Sequence, residues 1–318
     1  MIRTTLAALC LFGILGGAAY ADQSPIRLIV PFDAGGPTDQ NARLIAAEIS
    51  KVIERTVIVE NKPGAAGIVG AQYVAKAPAD GTVYLIGSNA SLAINKGLYK
   101  TLPYDPQKDF APVGGISFSP LVLAVNKDIH AKTVEDFVVE AKARKEPLTM
   151  GSSGSGSIPH IAGSYIADAL GVSVLHIPFK GTAPAVVALM SGTIDIIFDT
   201  LPTSLQNIKA GQYNGLGITS DQRFPLLPDV PTFKEQGYDN MTASAWFGLV
   251  APAKTPPAVI AEMNKALNIA LGTDVVKEKF LNMGAQPMLG SPAEFTQFVQ
   301  EETDKWVPQV KRLGLTVN

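Results

Sequence analysis

Four short segments of the sequence combine glycine, serine or threonine at points where a strand is predicted to pass into a helix. They are residues 32–39, 88–91, 152–160 and 180–183. The first N–H groups of a helix have no partner inside that helix, and glycine lets a ligand approach the backbone closely. Each segment is therefore either an ordinary tight turn or part of a site that binds an anion through backbone N–H groups.

Three ionisable side chains accompany these segments. Asp39 lies where a helix begins, so it could simply favour the helix dipole, or it could orient loop N–H groups, bind a bridging water or receive a protonated amine. Asp199 follows a predicted strand and could likewise orient loop N–H groups, bind a bridging water or receive a protonated amine. Lys180 is the basic side chain of the four segments, and it could either neutralise a bound anion or point to water.

The residue patterns do not favour a catalytic or metal site. Gly151, Gly154 and Gly156 lack the spacing of a nucleophile elbow, and the sequence contains no G-x-G-x-x-G motif. The three histidines are spread singly, so no metal and no cofactor are expected. His160 stands in the first turn of a helix and could bind a ligand or cap that helix. His176 lies inside an apolar strand and is predicted to pack in the core.

Apolar runs and amphipathic stretches alternate along the chain and predict an α/β protein. Short strands are expected at residues 28–30, 83–86, 148–150 and 174–177, directly before the four segments. An alternation of strand and helix implies parallel sheets with helices on both faces, and ligands bind at the carboxyl ends of such strands. The four segments, two from each of two lobes, are therefore predicted to converge on one cleft lined with N–H groups and hydroxyls, which suits a carboxylate.

The length of 318 residues predicts two lobes, because single cores stop growing at about 250–300 residues. Extended runs near Val125 and Trp246 mark the boundaries. The predicted first lobe is discontinuous, with residues 22–124 and 247–318, and the second lobe comprises residues 125–246.

The N-terminal residues 1–21 read as a secretory signal peptide, with Arg3, an apolar run and a small-residue motif that ends at Ala21, after which cleavage is expected. Cys10 is the one cysteine and lies in this segment, so the exported chain would lack thiol chemistry. The formal net charge of −2 and the absence of a basic stripe disfavour nucleic acid or an anionic membrane as a partner.

Several motifs along the chain are similar to those of one family. The motifs are Val30-Pro-Phe-x-x-Gly-Gly-x-x-Asp39, Val59-Glu-Asn-Lys-Pro-Gly-Ala65, Leu102-Pro-Tyr-Asp-Pro, Lys108-Asp-Phe-x-Pro-Val113, Gly156-Ser-x-x-His160, Lys180-Gly181, Asp195-x-x-Phe-Asp199, Pro228-Asp-Val-Pro-Thr232 and Trp246-x-Gly-Leu-Val-Ala-Pro252. Together they resemble the Bug-type periplasmic solute receptors of tripartite tricarboxylate transporters.

This resemblance implies a type II periplasmic-binding-protein fold, in which two doubly wound α/β lobes are joined by two crossing strands and close over a ligand cleft. It implies a monomeric, non-enzymatic receptor in the periplasm that binds a small organic acid and delivers it to a membrane permease. The ligand could be a dicarboxylate, an acidic amino acid or an aromatic acid. The alternatives are a secreted hydrolase or transferase that uses residues 152–157 with His160, or a protein that presents its solute to a sensor kinase.

The resemblance also implies which residues bind the ligand. In the family, backbone groups and waters of the loop at residues 32–39 hold one carboxylate, and the other lobe contributes the serine loop, the turn at Lys180 and Asp199. Phe179 and Ala34 depart from the residues that are common in the family. With the second segment included, the predicted ligand-binding residues are Phe32, Ala34, Gly35, Gly36, Thr38, Asp39, Ser88, Asn89, Ser153, Ser155, Gly156, Ser157, His160, Lys180, Gly181, Thr182, Ala183 and Asp199.

Overall fold

The structure is a computed structural model, and it describes residues 24–316. The predicted signal peptide and its cleavage after Ala21 lie outside the described residues. Within residues 24–316, no helix is both long and apolar enough to cross a membrane.

Strands and helices alternate in the first part of the chain. They are β1 (Ile26–Val30), α1 (Pro37–Ile53), β2 (Val57–Asn61), α2 (Ile68–Ala75), β3 (Val83–Ser88), α3 (Asn95–Leu98) and β4 (Phe110–Val125). A π-helical turn, Ala90–Ile94, leads into α3. The helix α1 is typical of these elements: Ile45 and Ile49 recur at helical spacing and are fully buried, so the helix packs one apolar face on the sheet.

The same alternation continues after β4. The elements are α4 (Val134–Ala143), β5 (Leu148–Ser152), α5 (Ile158–Ala169), β6 (Val174–Pro178), α6 (Thr182–Met190), β7 (Ile196–Thr200), α7 (Leu201–Lys209) and β8 (Asn214–Ile218). The chain then forms β9 (Ser244–Pro252), α8 (Pro257–Gly272), α9 (Asp274–Asn282), the short β10 (Gln286–Pro287) and α10 (Pro292–Arg312).

The strands are arranged in the order β2-β1-β3-β9-β4-β7-β5-β6, with β8 and β10 also paired to β4. β1 is parallel to β2 and β3, and β5 is parallel to β6 and β7. β4 is antiparallel to β9 along residues 110–120 and to β7 along residues 121–125. The parallel strand pairs that the sequence predicts therefore occur on both sides, and β4 crosses from one side to the other.

The helix α10 packs against both sides of the molecule. Near its start, Phe295 and Val299 join the apolar core beside β3 and β9. Near its end, Trp306 and Val310 join the separate core that includes Leu148 of β5. A capping box at Ser291 fixes where the helix begins. The lobe boundaries at 124/125 and 246/247 stay predictions.

Candidate functional site

A cavity of about 280 Å³ lies at the carboxyl ends of the parallel strands. All four predicted segments contribute to it, and none of the residues that line it has an ionisable side chain. These residues are Phe32, Thr38, Ser88, Asn89, Ala90, Ile94, Ser153, Gly156, Ser157, Ile158, Pro159, Thr182, Thr200 and Phe247. A larger depression of about 440 Å³ lies beside Tyr73, but none of the four segments lines it.

Helix N-termini from different parts of the chain border this cavity. The N-cap residues are Gly36 for α1, Ser157 for α5, Gly181 for α6 and Thr200 for α7. Each terminus offers about 0.3–1 kcal/mol to an exposed anion and up to about 2 kcal/mol to a partly buried one. Several termini together can therefore hold an anion in a cavity that has no cationic side chain.

Ser88 is one of the lining residues, and its hydroxyl has no hydrogen-bond partner among the described residues. Ser88 is 6% exposed, and its Oγ atom is buried. A buried hydroxyl left unpaired costs about 1–3 kcal/mol, so such a group at a cavity wall indicates a ligand or water partner. Asn89 next to it is already bonded: its Oδ1 accepts from Trp246 N at 2.9 Å, and its Nδ2 donates to Ser244 O at 3.0 Å.

In the first loop, residues 32–36, Asp39 acts on the backbone. Gly35 N donates to Asp39 Oδ2 at 3.0 Å, and Asn61 Nδ2 donates both to Asp39 Oδ1 at 2.9 Å and to Phe32 O at 3.1 Å. Arg43 Nε lies 2.8 Å from Asp39 Oδ2. The hydrogen bond from Arg43, with those from Gly35 and Asn61, lowers the pKa of Asp39 to about 2 despite its burial. Of the roles that the sequence left open, the geometry favours orientation of loop N–H groups.

In the second loop, residues 153–157, a histidine occupies the corresponding position. Gly156 N donates to His160 Nδ1 at 3.1 Å, and His160 N is capped by Ser157 Oγ. The His160 ring stacks on His176 with 3.5 Å between centroids. Burial, and then the proximity of His176, lowers the pKa of His160 to about 4. His160 is 5% exposed and does not line the cavity.

The imidazole that meets a serine hydroxyl of residues 152–157 belongs to His176, and not to His160 as the hydrolase alternative requires. Ser152 Oγ lies 2.7 Å from His176 Nε2, whereas the Ser157 hydroxyl accepts a hydrogen bond from the His160 backbone and donates its own to Gly154 O. Ser152 is 2% exposed and does not line the cavity. Within the described residues, no group of three or more His, Cys, Asp or Glu side chains could hold a metal ion.

Ten predicted residues do not line the cavity: Ala34, Gly35, Gly36, Asp39, Ser155, His160, Lys180, Gly181, Ala183 and Asp199. Lys180 is exposed. Asp199 is 2% exposed and accepts hydrogen bonds from the Thr203 and Ser204 hydroxyls, and burial raises its pKa to about 6. The eight others, Phe32, Thr38, Ser88, Asn89, Ser153, Gly156, Ser157 and Thr182, lie on the cavity wall. Ligand binding by any of them stays a prediction.

Six lining residues were missed in the sequence: Ala90, Ile94, Ile158, Pro159, Thr200 and Phe247. Most are neighbours of predicted residues, such as Ala90 beside Asn89 and Thr200 beside Asp199. Phe247 is different, because it reaches the cavity through the pairing of β9 with β3, where it stands opposite Ser88. No local pattern in the sequence signals that pairing.

Comparison with known proteins gives a consistent result. The family model described as "Tripartite tricarboxylate transporter family receptor" matches residues 41–315. Protein BugT from Bordetella pertussis is 34% identical over 291 residues, which cover 91% of this chain and 89% of BugT.

Two solved structures are also similar to this chain. The structure of R. palustris Rpa4515 with adipate has a TM-score of 0.80 and 34% identity, and the match covers 92% of this chain and 98% of that one. MatC from Rhodopseudomonas palustris, with bound malate, has a TM-score of 0.75 and 32% identity, with 90% and 98% covered. The predicted type II periplasmic-binding-protein fold, α/β with two lobes and crossing strands, is confirmed by these matches.

Proposed function

Because this chain belongs to the tripartite tricarboxylate transporter receptor family, we propose that its cavity binds a small organic carboxylate for delivery to a membrane permease. The observation that carries the proposal is a cavity without ionisable side chains that several helix N-termini border; Ser88 in its wall also has an unpartnered hydroxyl. Adipate and malate in the two R. palustris proteins support the same class of solute. The receptor acts without a cofactor and does not transform its ligand.

The charges around the cavity favour an acid that has no amino group. An ammonium group is held most strongly by a carboxylate, but Asp39 is paired with Arg43, and Asp199 is enclosed by Thr203 and Ser204. Phe32 and Phe247 instead offer apolar surface to the body of the solute. Among the solutes considered, dicarboxylates and aromatic acids therefore fit better than acidic amino acids.

Delivery to the permease depends on closure of the two lobes proposed from the sequence, residues 22–124 with 247–318 and residues 125–246. A solute shifts the equilibrium towards the closed form only if it binds that form better, which requires contacts from both lobes. The cavity has such contacts available, for example Thr38 on one side and Thr182 on the other. We place the protein in the periplasm as a monomer, after removal of residues 1–21.

Thermal-shift measurements with a panel of acids test this function. We expect adipate, malate or an aromatic acid to raise the melting temperature in a concentration-dependent way, and glutamate to raise it least. Mass spectrometry should recover the bound acid unchanged. Turnover of a carboxylate ester would favour the hydrolase, and no stabilisation by any carboxylate would contradict the proposal. Co-purification with a permease or with a sensor kinase separates the transport role from the signalling role.

A further inference from the structure

Two histidines support the second loop from outside the cavity. His176 on β6 meets Ser152 at the start of the loop, with 2.7 Å between His176 Nε2 and Ser152 Oγ. His160 on α5 accepts from Gly156 N near the end of the loop. The two rings stack almost parallel, with 7° between their planes. We refer to His160 and His176 as the histidine pair.

The backbone fixes the protonation of one member of the pair. A peptide N–H can only donate, so His160 Nδ1 must be an unprotonated acceptor, and the ring must be neutral with its proton on Nε2. The stack also disfavours two charged rings at a centroid distance of 3.5 Å. Burial lowers the pKa of both rings, which agrees with this assignment.

Ser152 transmits the position of His176 to the loop. Gly154 N donates to Ser152 Oγ at 3.1 Å, and Ser157 Oγ donates to Gly154 O at 2.7 Å. Gly154 has a φ of 132°, which glycine adopts readily, and these two hydrogen bonds hold its N–H and C=O groups in place. The loop residues Ser153, Gly156 and Ser157 line the cavity, although neither histidine does.

We propose that His176 is a positioning residue of the ligand site, which holds residues 153–157 in their binding geometry through Ser152 and the stack on His160. It does so without contacting the solute. The effect on affinity rests on the proposed function, whereas the effect on the loop does not.

The loop is tested first in the protein without ligand. Nuclear magnetic resonance of the histidine ring nitrogens at pH 7 should show His160 neutral, with its proton on Nε2. Replacement His176→Asn should shift the amide resonances of Gly154 and Gly156. A charged His160, a proton on its Nδ1, or unchanged amide resonances in the variant would overturn the proposal.

Affinity is tested with paired replacements of His176. A glutamine amide reaches about as far as Nε2, whereas an asparagine amide reaches only as far as Nδ1, so His176→Gln can keep the contact with Ser152 and His176→Asn cannot. With adipate or malate as the probe, we expect about a twofold loss for His176→Gln and about a tenfold loss for His176→Asn. Equal losses, or none, would overturn the proposal.

Two further variants complete the test. Ser152→Ala removes the same contact from the other side, together with the hydrogen bond from Gly154 N, so we expect a loss of at least about tenfold. It replaces His176→Asn in the test if His176→Asn folds poorly, and unaltered affinity would overturn the proposal. His130→Gln is the matched control, because His130 is exposed and distant in sequence from the loop. If the unaltered protein binds none of the acids, the proposed function fails, while the resonance measurements still decide the role of His176.

Discussion

The two loops of the cavity use the same backbone device with different chemistry. Gly35 has a φ of 85° and Gly156 a φ of 80°, and the N–H of each donates to a side chain four residues later, on the first turn of the following helix. The acceptor is the charged Asp39 in one loop and the neutral His160 in the other. In both loops the glycine N–H therefore serves the protein itself, and in α5 the His160 N–H is also bonded, to Ser157 Oγ, so a solute would have to use other N–H groups.

The largest expected effect is that of Gly156→Val, and Gly35→Val is its matched partner. Both replacements force a branched residue into a left-handed conformation, which costs at least about 1–2 kcal/mol. A Cβ atom at Gly156 would also lie 2.7 Å from Leu98 Cδ2, whereas one at Gly35 meets nothing within 4 Å. We expect both variants to lose solute binding and Gly156→Val to lose about 1–3 kcal/mol more stability. Denaturant titration and the thermal-shift panel measure both quantities.

Equal stabilities of the two variants would contradict the clash that is predicted between the new side chain and Leu98 in Gly156→Val. Unchanged affinity in Gly35→Val would remove the first loop from the site. Gly211→Ala serves as the control, because its φ of 63° imposes similar strain and its Cβ atom would also meet nothing within 4 Å. That variant should lose stability but keep its affinity.

Replacement of Asp39, the charged acceptor of the first loop, should have the next largest effect on affinity. Asp39→Ala deletes the acceptor for Gly35 and Asn61, and Asp39→Asn keeps one oxygen, so we expect about a tenfold loss of affinity for the first and a smaller loss for the second. Calorimetric titration with the best acid of the panel measures this. Because Arg43 neutralises Asp39, we expect no repulsion between Asp39 and the solute. Tighter binding in Asp39→Ala would show that the Asp39 charge does repel the solute and would contradict this prediction.

The neutral His160 should make the free energy of unfolding depend on pH. The pKa of His160 is about 4 in the folded protein and about 6.5 in an unfolded chain, so the unfolded chain binds more protons between these values. The contribution of His160 to the free energy of unfolding therefore falls as the pH is lowered from about 6.5 to 4. Asp199, with a pKa of about 6, acts in the opposite direction between about pH 4 and 6, because its folded form binds more protons.

Melting curves of His160→Asn and Asp199→Asn separate these two contributions. Relative to the unaltered protein, the first variant should gain stability as the pH falls through this window, and the second should gain stability as the pH rises. Asparagine can still accept from Gly156 with its Oδ1, so the loop is preserved in the first variant. Parallel curves for all three proteins would contradict the assignment of a neutral His160.

The smallest effect on affinity is expected for Lys180→Ala. Lys180 is exposed and does not line the cavity, so we expect affinity to change by no more than about twofold. Titration at low and high salt is the measurement. A loss that disappears at high salt would show that Lys180 meets the solute when the lobes close, and residues 180–183 would then contribute a charge to the site.

The fold and the general position of the site follow from local patterns. Residues 28–30 and 83–86 are apolar runs before small polar residues, and such runs can form buried parallel strands with loops at one edge. Thr38, Ser88, Ser157 and Thr182 were predicted from these patterns and line the cavity. Strand order was not needed for that prediction, because carboxyl ends of parallel strands share one edge.

What the patterns could not supply depends on contacts between distant residues. Asp199 is enclosed by Ser204, which in turn accepts from Tyr213, and nothing next to Asp199 in the sequence reveals that enclosure. His176 was predicted to pack in the core, but it is only partly buried and bonds to Ser152, because β6 pairs with β5 in the register that opposes His176 to Met150. The residues next to His176 in the sequence do not show which residue of β5 it will face.

The uncharged wall of the cavity has a consequence for how the protein responds to acidity. None of the lining residues gains or loses a proton, and helix dipoles do not titrate, so the wall itself adds no pH dependence and the protonation of the solute decides how much of it is in the form that binds. For two acids of different strength, the pH dependence of saturation would then be displaced along the pH axis by the difference between their pKa values. The protein would thus register the concentration of the ionised solute, and not the total amount present.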